Sequence, residues 1–422
     1  MKIRNLRIQQ GRYTTRAVAT VIWEDCPFTR QEVYFEVLNQ HAHLIDSHPD
    51  AFFVACGLPA MYYGERRIHL EEAVCPELKS GMETAIAWIH HWFQVGNPQL
   101  RLECPARDRG TTAASPQRTA SFFTGGIDSW ANLLQNHRQY PPSHPRRIKD
   151  LFMVFGLQYV KRANFEKAVT QFQSVGASLG VNFIPVYTNI YAYLIDGDVG
   201  HPFWQNAYNG AALAAIGHAF AQHYSVISIA SGNDIPNLVP LGTHPNVDPH
   251  YSSSNLRITH DGIILSRLDK TKLVAQSNLA LQNLRVCDMP ELPAGKQNCG
   301  VCEKCVRTTI TLDALNCLNK TKAFPYQHMT PQIADQAYVK HSGIEKIYLD
   351  LIPLLKAQRK HAVVQALKSK ILRFRLEQLD QKLCGGLFFG LAKAFKSWFS
   401  QPRTNSTRRE IGVEFAPLIK EN

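Results

Sequence analysis

The chain has 422 residues, enough for two or three domains of roughly 150 residues each and for a sizeable core. Apolar residues make up 45% and the formal net charge is +12, which excludes an intrinsically disordered chain. No apolar run reaches about 18 residues, so a transmembrane helix is not expected.

The opening stretch, Met1 to Trp23, is basic, but its apolar part Ala17–Trp23 runs directly into Glu24 and Asp25. That reads as a strand and not as a secretion signal, so the expected compartment is the cytoplasm. Alternating, β-branched stretches at Arg16–Trp23 and Glu32–Val37 predict strands, and Gly81–Phe93 predicts a helix. Residues 1–112 are therefore expected to form a small β-rich or α+β domain. The polar segment Arg107–Thr119 reads as a linker.

From Ala120 the pattern becomes apolar strand, turn and helix in repetition. Strands are predicted at Ala120–Phe123, Leu151–Phe155, Phe183–Val186 and Val226–Ala230. Helices are predicted at Trp130–Asn136, Asn164–Leu179 and Trp204–Gln222. Short apolar strands alternating with helices indicate a parallel sheet buried on both faces, an α/β fold. From about Ile333 the chain reads as helical.

The first of these strands leads into Thr124-Gly125-Gly126-Ile127-Asp128-Ser129. Two glycines permit a tight turn and close approach of a ligand. Asp128 and Ser129 then begin a helix, whose unpaired N–H groups suit an anion. A capped turn without a ligand is the plainer alternative.

Further along, Phe155-Gly156 ends the second strand of the region. Ser231-Gly-Asn233-Asp234 follows the fourth, where polar groups point into the ligand crevice of a parallel sheet. Asn233 and Asp234 are candidates for substrate or Mg²⁺, with turn formation as the alternative. His244 and Asp248 share a loop and are candidate substrate contacts. His201, Trp204, Asn206 and Asn209 lie at the start of a predicted helix. Lys270 and Lys272 open another helix; either could offset phosphate charge, with solvated surface as the alternative.

Ten cysteines occur, and four are grouped: Cys287, Cys299, Cys302 and Cys305. Four thiolates satisfy tetrahedral Zn²⁺ and form a closed, structural site. An iron–sulfur cluster, a redox dithiol and unligated core cysteines are the alternatives.

Taken together, the T-G-G-x-D-S loop and the later Cys…C-G-x-C-x-x-C cluster resemble the 7-cyano-7-deazaguanine synthase (QueC) family of PP-loop ATP-pyrophosphatases. The resemblance covers about residues 120–318 and departs from the loop pattern at Thr124, where the family usually has Ser. It implies an α/β PP-loop core over residues 120–320 with a four-cysteine zinc site, using ATP, Mg²⁺ and Zn²⁺. It implies phosphate binding by Thr124, Gly125, Gly126, Asp128 and Ser129, and adenine contact near Phe155 and Gly156. Asp128 and Lys270 are the catalytic residues it suggests. The implied reaction is adenylation of a 7-deazapurine carboxylate such as 7-carboxy-7-deazaguanine, then attack by ammonia to give an amide, which a second activation by ATP dehydrates to a nitrile.

The N-terminal region and the extension over 330–422 lie outside this resemblance. From Lys356 to the end, 14 basic residues stand against 5 acidic ones. Nucleic acid, an anionic membrane surface and an acidic protein are the partners such a tail admits. Its segment Leu383–Phe399 is apolar and basic, too short to span a bilayer. The additions suggest an alternative acceptor, an amine on a protein, and QueC-like proteins also occur in bacterial antiviral operons. A tRNA-modifying ATP-pyrophosphatase is the third reading; the commitment of the grouped cysteines to metal argues against thiolation. A homo-oligomer is compatible with the sequence.

Overall fold

A computed structural model describes residues 1–107, 118–157, 161–194, 200–287, 289, 291–385 and 387. Most of the predicted linker and most of the apolar segment 383–399 lie outside these residues. The chain divides into two compact units at Ser266/Arg267.

The first unit is built on one ten-stranded sheet. Its strands are β1 (Lys2–Gln10), β2 (Thr14–Ile22), β3 (Gln31–Leu38), β4 (Arg67–Leu70), β5 (Arg101–Glu103), β6 (Thr119–Phe122), β7 (Ile148–Phe155), β8 (Asn182–Thr188), β9 (Val226–Ala230) and β10 (Arg257–Asp261). Their spatial order is β10-β9-β6-β7-β8-β3-β2-β1-β4-β5. The strands β10-β9-β6-β7-β8 are all parallel, as the strand–helix alternation predicts. At β8 the sheet turns antiparallel, with Phe35 of β3 opposite Thr188.

The expected boundary near residue 112 therefore does not interrupt the sheet. Strands of residues 1–112 and of residues 120–266 share one ladder, and the region 120–320 spans the division between the two units. The reason is physical: an open edge at β8 leaves unpaired backbone groups, and β3 satisfies them.

Helices of this unit are α1 (Pro49–Tyr62), α2 (Pro76–Phe93), α3 (Ile127–Gln139), α4 (Arg162–Leu179), α5 (Ile190–Leu194), α6 (Gly200–Phe203) and α7 (Asn209–His218). A π-helical turn, Trp204–Tyr208, leads into α7. Adjacent residues send aromatic side chains to opposite faces of the sheet. Phe123 meets Trp130 of α3 and Phe172 of α4, each at 5.0 Å between ring centroids. Phe122 faces the other way and meets Phe152, which packs on Phe220 at 4.6 Å. Helix α1 has no polar stripe and is buried from Asp50 to Met61, a sign of a helix enclosed on all sides.

The second unit is helical. It contains α8 (Arg267–Ala275), α9 (Asn278–Gln282), α10 (Glu303–Ala314), α11 (Pro331–Ala334), α12 (Ser342–Ala357) and α13 (His361–Cys384). Its core joins Val306 and Ile310 of α10, Tyr348 and Leu351 of α12, and Leu367 and Ile371 of α13. Among the described residues, no helix is long and apolar enough to cross a membrane.

Candidate functional site

Numbering the parallel strands β6 to β10 as one to five gives the spatial order 5-4-1-2-3. The direction of winding reverses between β6 and β9, and the crevice at the carboxyl ends of such neighbours is where open α/β sheets bind ligands. Three predicted segments gather at these ends: 124–129 after β6, 155–156 at the end of β7, and 231–234 after β9.

The turn after β6 uses Gly125 in the left-handed region, φ +79°, where a side chain is unfavourable. Thr124 Oγ1 accepts from the Gly126 amide at 3.3 Å, and Ser129 Oγ donates to the Gly126 carbonyl at 3.1 Å. Gly126 is the N-cap residue of α3 and makes no side-chain cap hydrogen bond, so the positive end of the helix dipole lies at this turn. Such an arrangement favours an anion.

Beneath the turn lies a buried polar chain that no sequence pattern announces. Asn132 Nδ2 of α3 donates to Ser228 Oγ of β9 at 2.8 Å and to Ser121 Oγ of β6 at 3.1 Å. Ser228 Oγ donates in turn to Asp261 Oδ2 of β10 at 2.6 Å, which also accepts from Thr259 Oγ1. Asp261 further accepts, through its carbonyl, from the Ser231 amide. The network thus fixes α3 and the 231–234 loop to the same strands.

Within that loop, Ser231 Oγ donates to the Asn233 carbonyl at 2.6 Å, and Asp234 Oδ1 accepts from Asn237 Nδ2 at 2.6 Å. Gly156 has φ +103°, and an added Cβ would stand 1.8 Å from the Thr188 carbonyl oxygen. Close packing of β7 on β8 alone therefore demands glycine there.

His244 and Asp248 lie in a loop held against the start of α7. The Gly242 amide donates to the Gln205 carbonyl, and the Gly210 amide to the Gly242 carbonyl, both at 3.1 Å. Asp248 is fully buried and accepts from Thr243 Oγ1 at 2.6 Å, His260 at 2.7 Å and the His244 amide at 3.3 Å. Its carboxylate anchors the loop. His244 packs edge-on to Trp92 at 4.9 Å, and burial lowers its pKa. The structure brings residues 204–209 to this loop; Trp204 packs on Tyr191 at 5.1 Å. The His201 side chain lies outside the described residues. His260 is the partner that sequence reasoning missed, since no spacing links it to Asp248.

The metal-binding arrangement belongs to the second unit. The sulfurs of Cys287, Cys299, Cys302 and Cys305 all lie within 4.8 Å of one another. Cys287–Cys302 and Cys299–Cys305 are each 3.8 Å apart. Sulfurs about 2.3 Å from a central Zn²⁺ stand about 3.8 Å apart, whereas a disulfide needs about 2 Å. The four cysteines can hold a metal such as zinc.

The setting of Cys287 and Cys299 suits thiolates. Amides of Val301 and Cys302 donate to Cys299 Sγ, and that of Met289 to Cys287 Sγ. Donation from Cys302 and then Cys305 pulls the Cys287 pKa down, and holding that negative sulfur pushes both of theirs up. Four thiolates together need a dication. Asn298, fully buried, accepts from the Val286 amide and donates to the Leu284 and Ala323 carbonyls, tying the Cys287 and Cys299 segments together. Tyr326 donates to the Gly300 carbonyl at 2.7 Å.

Both predicted lysines lie on α8 of this unit. Lys270 is 2% exposed. Lys272 is at the surface and pairs with Asp269 at 3.0 Å.

No protein-family model, curated protein or solved structure matches the chain.

Proposed function

We propose that this chain is an ATP-dependent ligase that adenylates a 7-deazapurine carboxylate, such as 7-carboxy-7-deazaguanine, and passes the acyl group to an amine. The observation that carries the reading is the Thr124–Ser129 turn, uncapped and glycine-shaped, at the reversal point of a parallel sheet. A triphosphate is the ligand class that best uses a helix N-terminus and glycine amides together.

In this reading Thr124, Gly125, Gly126, Asp128 and Ser129 hold the phosphates, and Mg²⁺ supplies charge neutralisation when bound. The substrate carboxylate attacks the α-phosphorus and pyrophosphate leaves. The amine then attacks the acyl carbon and AMP leaves. Fixed amides aimed at the phosphates supply electrostatic stabilisation, and the crevice supplies orientation. The four cysteines would hold zinc in a closed site, where it would serve the fold.

The five strands β1–β5 added to the parallel sheet favour a second acceptor, an amine on a protein. A larger acceptor needs more surface than ammonia does.

Purified protein incubated with ATP, Mg²⁺ and 7-carboxy-7-deazaguanine, with and without ammonia, tests the proposal. AMP, pyrophosphate and a product of amide or nitrile mass support it. AMP with product only when a protein is added selects the second acceptor. No AMP with this or any related carboxylate sinks the ligase reading. Lys270→Met in the same assay tests the role its sequence position suggests.

A further inference from the structure

Helix α13 is apolar on two faces. One face carries Val363, Val364, Leu367, Ile371 and Phe374 into the core of the second unit. The other carries Leu372, Leu376, Leu379 and Leu383, which are 58, 46, 52 and 79% exposed. Spacings of four, three and four put these leucines on one line of the helix surface. Isolated exposed leucines need no explanation, but a continuous row marks an interaction site.

The charge beside this row selects the partner. Lys368, Arg375 and Lys382 recur every seven residues and run along one edge of it. Lys340, Arg375 and Lys382 also line an open cleft of about 520 Å³ that includes Leu379. Glu345 in the same cleft pairs with Arg375.

A second copy of α13 fits poorly. In an antiparallel pair the cationic edge would meet itself, and in a parallel pair Lys368 would meet Arg373 while only Arg375 would find an acidic residue, Asp380. In the sequence no acidic residue occurs between Asp380 and Glu410, while lysine, phenylalanine and tryptophan do. The apolar row and its cationic edge, with Glu377 of the same helix paired to Arg373, match an anionic lipid surface.

We propose that the outer face of α13 rests on an anionic membrane surface, with the leucine row at the acyl boundary and Lys340, Arg375 and Lys382 among the phosphate headgroups. This binding is independent of the ligase reading.

Co-sedimentation of the full chain with vesicles tests it. Vesicles of phosphatidylcholine mixed with phosphatidylglycerol should carry the protein down, and those of phosphatidylcholine alone should not. The triple variant Leu376→Gln/Leu379→Gln/Leu383→Gln should lose binding by at least about tenfold. The variant Arg375→Gln/Lys382→Gln should lose it by a similar factor and weaken its salt dependence. Unchanged circular dichroism and metal content would show that both variants fold. The proposal is overturned if wild-type protein fails to sediment with the anionic vesicles, or if the leucine variant binds as well as wild type. It is also overturned if wild type is a dimer by light scattering and the leucine variant a monomer.

Discussion

Asn132 of α3 donates to Ser228 of β9 at 2.8 Å across a reach of 96 residues, and so holds the helix behind the glycine turn to the strand on the far side of the crevice. The amide is buried and shared with Ser121, and Ser228 leans on Asp261. Replacing Asn132 by leucine leaves Ser121 and Ser228 without their donor. We expect a loss of about 1–3 kcal/mol in urea unfolding of the first unit. Asn132→Leu with unchanged stability would show that the network adds nothing.

Gly156→Ala should be among the most damaging single changes. Its Cβ would meet the Thr188 carbonyl at 1.8 Å in a backbone conformation with φ +103°. The added methyl cannot be accommodated without separating β7 from β8, so a loss above about 3 kcal/mol is expected. Soluble yield and thermal midpoint measure it. Gly64→Ala is the control, because that position also has positive φ but nothing within 4 Å of the added atom; it should cost only about 1 kcal/mol.

Metal content separates the cysteine cluster from a set of core thiols. Purified protein should hold zinc, and Co²⁺ substitution should give the absorption of a tetrahedral thiolate site. Cys302→Ser or Cys305→Ser should release the metal and lower the thermal midpoint of the second unit. Acidification should do the same, because protons compete with the metal for the thiolates. Unmetallated protein of unchanged stability would sink the assignment.

Acid should also weaken the first unit through its buried histidines. Burial lowers the pKa of His48 from 6.5 to about 4, and it lowers that of the fully buried His218. Both are depressed in the folded state, so the unfolded chain binds more protons below 6.5. Their contribution is present above 6.5 and is lost as pH falls towards about 4. For His48 the loss is about 2–3 kcal/mol at the acid end. Urea midpoints of wild type and His48→Asn across this range check it, since Asn keeps the cap on the Asp50 amide. The variant should show a shallower slope.

Phosphate binding by the turn predicts that Gly125→Ala reduces ATP affinity, because φ +79° disfavours the new side chain and the amides shift. Equilibrium dialysis with ATP and Mg²⁺ gives the readout. An unchanged affinity would place the nucleotide elsewhere.

How much of this was legible depended on distance along the chain. The glycine turn and the C-G-x-C-x-x-C cluster are each contained within a few residues, and local geometry places them as their spacing suggests. The strands β6 to β9 were visible because each is a short apolar run between helices. Helix α1 was not, because apolar residues on all sides erase its period. Lys272 reads like Lys270 in sequence, yet one pairs at the surface and the other is buried.

Local order along the chain was enough for the α/β alternation, the glycine turn and a four-thiol cluster able to hold a metal, since each rests on backbone preferences and short spacings. Tertiary structure alone decided that β3 closes on β8, that Asp261 supports Ser228 and Asn132, and that His260 holds Asp248. Those pairings bring together edges and buried polar groups from segments with no common period. They form because an unpaired strand edge or an unsatisfied buried carboxylate costs more than the chain entropy of closing the loop between them.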